Sequence, residues 1–320
     1  MTKSFYWIWA TIGLLLCGCG GENAGNRMTL NGAGATFPSP VYANWTYNYS
    51  QASGNRVRVN YQGVGSGAGV QQLREGTVDF AGTDEPLSEE ELKRDGLVQL
   101  PMLAGGVVVI VNLPNMSDGV LKLSSETLAD IFLGKIKKWN APQIQKDNPG
   151  RTLPNLEITP VYRADSSGTS YLFTRFLSGV SQAWKNEVGT GKSVHFPTGV
   201  GGQKNPGVVR CVAKITGSIG YTEYTYAAEA KMACVQLTNP AGHFLAPTVE
   251  AFSISLENPQ DAKAWPITGI TYLVYRQSLE ASRTNELQNY IRWCFRDGKG
   301  KAVEMKYVPI PDETLQQMGW

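Results

Sequence analysis

Apolar positions in this chain switch repeatedly between a period of two and a period near 3.6. Val57 to Tyr61 alternates in strand fashion, and Val70 and Leu73 then share one face of a helix ending at Gly76. Val78 to Ala81 reads as a short apolar strand that stops at Gly82-Thr83-Asp84. Ser88 and Glu91 have capping-box spacing for the next helix, with acidic residues in its first turn. After Gly105-Gly106, Val107 to Asn112 is an almost unbroken apolar run, the pattern of a strand covered on both faces. Leu128, Ile131 and Phe132 mark a helix behind Ser124 and Ser125, and Ile158 to Tyr162 is a strand that delivers Arg163. Ser218 to Tyr221 is a short strand and Ile267 to Tyr275 a long one. Leu287, Ile291 and Cys294 line a late helix closed by Gly298. Strand-then-helix order of this kind predicts an α/β fold with mixed, mostly parallel sheets flanked by helices.

Three glycine- and hydroxyl-rich loops stand at predicted starts of helices. They are Gly32-Ala-Gly-Ala-Thr-Phe-Pro38, Gly63-Val-Gly-Ser-Gly-Ala-Gly69 and Arg163-Ala-Asp-Ser-Ser-Gly-Thr-Ser170. A helix start offers unpaired N–H groups and partial positive charge. Glycine lets a ligand approach that backbone, and Ser or Thr adds a hydroxyl. One such loop is ordinary capping. Three of them with one arginine suggest a small oxyanion held by many hydrogen bonds. All three, and Asp84, lie at carboxyl ends of predicted strands, where ligands of α/β sheets bind. Taken singly, Thr36, Ser66 and Ser167 serve equally well as helix caps, Asp84 as a turn residue, and Arg163 with Asp165 as a surface ion pair.

The chain has 320 residues, 42% of them hydrophobic, enough for two domains. A formal net charge of +2 is too balanced for a nucleic-acid binder, which needs a concentrated basic face. At the N-terminus, Lys3 precedes an apolar stretch from Phe5 to Leu16, short for a membrane span. Leu16-Cys-Gly-Cys19 resembles a lipobox, which implies a signal peptide over 1–18, lipidation of Cys19 and a flexible tether over 19–27. The mature protein is then expected outside the cytoplasm, anchored to a membrane only by lipid.

Other signals carry little chemistry. Gly63-Val-Gly-Ser-Gly-Ala68 matches a dinucleotide fingerprint in form, but an exported protein rarely meets NAD. Gly189-Thr-Gly-Lys-Ser193 resembles the end of a P-loop, yet Asn186 stands where the first glycine belongs, so it reads as a polar surface turn. No GxSxG elbow occurs. Two histidines and no CxxC pair argue against a metal site. His195 and His243 read as structural or exposed, and Trp139, Trp184 and Trp265 as packing.

In their order along the chain, the three loops together with Val78-Asp-Phe-Ala-Gly-Thr-Asp84, Leu133-Gly-Lys-Ile-Lys-Lys-Trp139 and Gly217-Ser-Ile-Gly-Tyr221 resemble the periplasmic phosphate-binding proteins of bacterial ABC importers. The resemblance runs from about Leu30 to Gly298. It implies a two-lobed, type II-like Venus flytrap, with one lobe from 28–110 plus 268–320 and the other from 111–267. It implies no catalytic residue, cofactor or metal. The ligand would be inorganic phosphate, closed over by the lobes and passed by a monomer to the membrane subunits of an importer. By the same resemblance, the phosphate ligands fall on Thr36, Phe37, Ser66, Asp84, Arg163, Ser167, Gly168 and Thr169, with Asp165 orienting Arg163. Gly67 stands where the family often has a second serine. Hinge strands are expected near Val109 to Asn112 and Ile267 to Thr271. A disulfide between Cys211 and Cys234 is expected within the middle lobe, with Cys294 in the other. The competing readings are an exported phosphatase and a binder of another oxyanion.

Overall fold

The computed structural model describes residues 27–320. The signal segment and Cys19 lie outside the described residues, and with them the lipidation expectation. Ten strands form one continuous, twisted sheet. At one end, Met28–Gly34 lies between Val57–Gly63 and Phe80–Thr83, all parallel. At the other end, Thr159–Arg163 lies between Ser218–Glu223 and Val200–Gly202, again parallel. Two long antiparallel strands join these ends, Leu97–Val111 and Thr268–Arg276. The sheet is thus mixed: parallel where the glycine loops leave it and antiparallel through the middle.

Leu97–Val111 spans both halves. Leu97 through Gly106 pairs with Thr268–Arg276, and Val107 through Val111 pairs with Ser218–Glu223. Gly105-Gly106, read from sequence as punctuation, continues the strand opposite Gly269 and Thr268. Ladder pairing on both sides outweighs the weak strand preference of glycine. A register shift leaves Met102 as an extra residue opposite Thr271 and Tyr272, a bulge in Leu97–Val111 a few residues before this crossing.

Each glycine loop opens a helix as its sequence predicts. The helices are Ser39–Ala52, Ser66–Arg74 and Gly168–Val180, the last capped by Ser167. Ser88 and Glu91 form the expected capping box. The late helix Ala281–Arg296 stops two residues before Gly298, which caps the start of the next helix, Lys299–Glu304, instead. Phe80–Thr83 starts two residues after the predicted strand, because Asp79 is turned to bond Asn31 N–H and Arg283.

Among the described residues four tryptophans are buried, and each indole N–H finds a carbonyl. Trp45 donates to Gly298, Trp139 to Gly217, Trp184 to Gly189 and Trp265 to Val107. An aromatic ring thus fills volume without an unpaid polar atom. His195 and His243 are exposed.

The expected Cys211–Cys234 disulfide is not formed; Cys211, Cys234 and Cys294 are all free thiols. Cys211 is half-buried on the helix Lys204–Lys214, whereas Cys234 is buried on the short strand beside Ile110 and Val111. The two thiols thus sit on separate elements, a helix and a short strand.

Candidate anion-binding site

The three loop helices converge where the two halves of the sheet meet. Gly67 N–H donates to the carbonyl of Ser166, 3.2 Å across the junction. Gly168 N–H donates to Ser66 Oγ at 3.1 Å. A β-carbon added at Gly67 would fall 2.1 Å from Ser166 Oγ, so Gly67 and Ser166 fit each other as a pair. At the rim, Lys192 Nζ lies 2.5 Å from Glu85 Oε2. The Gly189–Ser193 turn is therefore no phosphate loop, but it does reach across the junction. Its Lys192 carbonyl also accepts Ser167 N–H.

Every sequence-predicted ligand is brought to this junction and buried. Thr36, Phe37, Ser66, Asp84, Arg163, Ser167 and Thr169 are each at most 5% exposed, and Gly168 is buried with them. The loop residues arrive there because parallel strands deliver them at their carboxyl ends, where the helices start.

The charges are arranged with care for geometry. Asp165 grips Arg163 in a fork, Nε at 2.8 Å and Nη2 at 2.5 Å. The bidentate fit holds the guanidinium in one plane. Asp165 is itself held by Lys204 N–H at 2.9 Å. Burial pushes the Asp165 carboxyl upward, but Arg163 outweighs it and keeps the group below its usual range. Arg163 Nη1 remains buried without a protein partner.

Asp84 is the opposite case. Its Oδ1 accepts the Thr271 hydroxyl at 2.8 Å, and its Oδ2 is buried without a partner. Burial pushes its pKa up to about 7, against the Thr271 hydrogen bond and the charge of Arg163. A carboxylate so placed is a strong acceptor among donors.

The serine hydroxyl oxygens nearby accept from backbone N–H groups. Ser66 Oγ accepts N–H bonds from Gly168 and, at 3.4 Å, from Asp84. Ser167 Oγ accepts Ser170 N–H at 3.1 Å. Each hydroxyl keeps its own proton for another acceptor. Gly168 N–H, expected to face the anion, is here given to Ser66.

Sequence reading missed four supporting residues. Asn205, wholly buried, bonds both Thr36 and Thr169. Tyr226 donates to the carbonyl of Thr36 at 2.6 Å and Tyr307 to that of Phe37 at 2.8 Å. Thr271 holds Asp84. None belongs to a motif: they come from distant segments of the chain.

Residues 21–297 match the model of the PBP superfamily domain. The chain is 44% identical over 306 residues to the phosphate-binding protein PstS of Pasteurella multocida, covering 91% of this chain and 88% of that one. The fold is similar to a phosphate-binding protein from Stenotrophomonas maltophilia, with TM-score 0.65 and 20% identity over 89% of this chain and 91% of that one. It is similar also to an ABC-type phosphate transport receptor from Vibrio cholerae, with TM-score 0.60 and 21% identity over 88% and 100% of the two chains. Two lobes of a mixed sheet, helix starts gathered between them and this sequence kinship make the chain a member of the PBP superfamily, in the PstS family of phosphate-binding proteins.

Proposed function

We propose that this protein binds inorganic phosphate outside the cytoplasm and hands it to an ABC phosphate importer. The observation that carries the reading is Asp84. It is a buried acceptor within a shell otherwise made of hydroxyls, helix starts and Arg163. Near neutral pH phosphate, like its analogue arsenate, still carries protons, so it can donate to such a carboxylate while accepting from the rest, which sulfate and molybdate cannot. Thr36, Phe37, Ser66 and Asp84 supply one half of the shell, and Arg163, Ser167, Gly168 and Thr169 the other. Asp165 orients the arginine.

The lobes close over the anion, because only the closed state satisfies all donors together. The change of partner along Leu97–Val111 supports a crossing there, and Val107 N–H donating to Ile267 C=O supports a second beside it. We take 28–110 plus 268–320 as one lobe and 111–267 as the other. The protein works as a monomeric binder rather than an enzyme, tethered by lipid at Cys19. Calorimetry of the soluble domain with phosphate, sulfate and molybdate tests the reading. Heat is expected with phosphate alone, and tighter binding of sulfate or molybdate would overturn it.

A further inference from the structure

Hydroxyl groups can donate or accept, so four hydroxyls around an anion do not by themselves make a donor shell. For Ser66 and Ser167 backbone N–H groups take up oxygen lone pairs, two at Ser66 and one at Ser167, and so bias the hydroxyls toward donating. Thr36 and Thr169 share the side chain of Asn205 as partner, and Thr36 also takes the longer backbone N–H of Asn205 at 3.4 Å. Asn205 Nδ2 lies 3.0 Å from Thr36 Oγ1 and 3.3 Å from Thr169 Oγ1.

The orientation of that amide follows from its other end. Asn205 Oδ1 faces the backbone N–H of Glu223 at 3.3 Å and the Thr222 hydroxyl at 3.1 Å. A backbone N–H only donates, so the amide atom opposite it is the oxygen. The amide nitrogen is then turned to the two threonines and gives one proton to each. Both threonine oxygens become acceptors toward Asn205, which leaves their own protons free to donate elsewhere.

Resting on the phosphate reading, we infer that Asn205 is a positioning residue that fixes Thr36 and Thr169 as donors to the anion. It does so from across the junction, because Thr36 precedes the helix Ser39–Ala52 while Asn205 and Thr169 belong to the other half. The Thr36 hydroxyl is therefore polarised only when the lobes are together. In the separated state it is free to turn, so the donor shell is completed by closure. The same device sharpens rejection of anions that need fewer donors or offer a donor of their own at these positions.

A double-mutant cycle tests this. Phosphate affinity is measured by calorimetry for Asn205→Ala in the wild-type background and in Thr36→Val/Thr169→Val. The expected result is a loss of about tenfold in the first background and under about twofold in the second, since the hydroxyls through which Asn205 acts are then gone. Equal losses in both backgrounds would mean a packing role only and overturn the inference. Asn205→Asp covers the case where alanine does not fold. It keeps the shape and the partners Thr222 and Glu223, but accepts from the threonines instead of donating. Its loss must exceed its own loss in the double-valine background by about fivefold or more, and equality overturns the inference. Wild-type protein that binds no phosphate would instead refute the functional reading and leave the cycle without a baseline.

Discussion

Thr271 donates its hydroxyl to Asp84 Oδ1 over 2.8 Å, although 187 positions separate them in the chain. The bond joins a crossing strand to the carboxylate at the centre of the site. It holds one oxygen of Asp84 in place and leaves the other buried without a protein partner. The stability and selectivity of the protein should both reflect this carboxylate.

Asp84 should make the phosphate-free protein lose stability as pH rises. Unfolded, the group titrates near 3.8; folded, it titrates near 7. Between those values the folded state holds the extra proton, so stability is greatest below the lower value and declines toward the upper one. The ceiling is about 4 kcal/mol, and lobe opening, which rehydrates the group, lowers it. Glu223, pushed up to about 8 by burial, adds a similar slope that stays in an Asp84 variant. Denaturant titrations at pH 4.5 and 7.5 should therefore give a steeper decline for wild type than for Asp84→Asn. Parallel declines would count against the burial of this carboxylate.

Selectivity should fail before affinity when Asp84 becomes asparagine. Above pH 7, where Asp84 is ionised, the carboxylate repels a bare sulfate oxygen, whereas an amide can donate to it. An unmatched buried group costs about 1–3 kcal/mol, more if charged. Sulfate competition against phosphate should rise at least tenfold in Asp84→Asn, with a smaller fall in phosphate affinity. A variant that still rejects sulfate fully would sink the mechanism.

Gly168 has no space for a side chain once the lobes meet. A β-carbon there would sit 2.5 Å from Asp84 Oδ2 and 2.6 Å from Ser66 Oγ. Gly168→Ala should therefore lower phosphate affinity about ten- to a hundredfold. The helix Gly168–Val180 itself favours alanine, so the melting temperature without phosphate should stay level or rise. Scattering should show wild type compacting with phosphate and the variant doing so less. An unaltered affinity would mean the lobes do not close this tightly.

The Lys192–Glu85 ion pair should matter little at equilibrium. Its side chains are 27% and 26% exposed, and such pairs contribute about 0–1 kcal/mol. Lys192→Met should weaken phosphate binding less than about fivefold, chiefly through faster release, and the difference should shrink with added salt. A loss beyond tenfold, or one insensitive to salt, would assign the lysine a direct part in the site.

Thiol labelling should divide the three cysteines. Cys211 is half-buried, while Cys234 and Cys294 are buried, and burial pushes both buried thiols well above their usual range. Native protein should label at Cys211 first, and unfolded, unreduced protein should label at all three positions. Two of them resisting label after unfolding would restore the disulfide.

The loops that meet at the site were legible in the sequence because their chemistry is local. A glycine beside a serine or threonine before a helix declares itself within a few residues. The capping box at Ser88 and the strand that delivers Arg163 are equally local. Long-range pairing was not legible. The apolar run at the end of Leu97–Val111 cannot tell which strands flank it, and Gly105-Gly106 stood at its start rather than marking a crossing. Likewise, nothing near Asn205, Tyr226, Thr271 or Tyr307 marks them, since each earns its place by a hydrogen bond to a residue at least 36 positions away. Cys211 and Cys234 illustrate the same limit, for spacing along a chain says nothing about where two β-carbons point. Residue type and local backbone set what each loop can bind. Only the folding of remote segments onto them, driven by burial and by the need to pair every buried polar group, decided which hydroxyls donate and which carboxylate accepts.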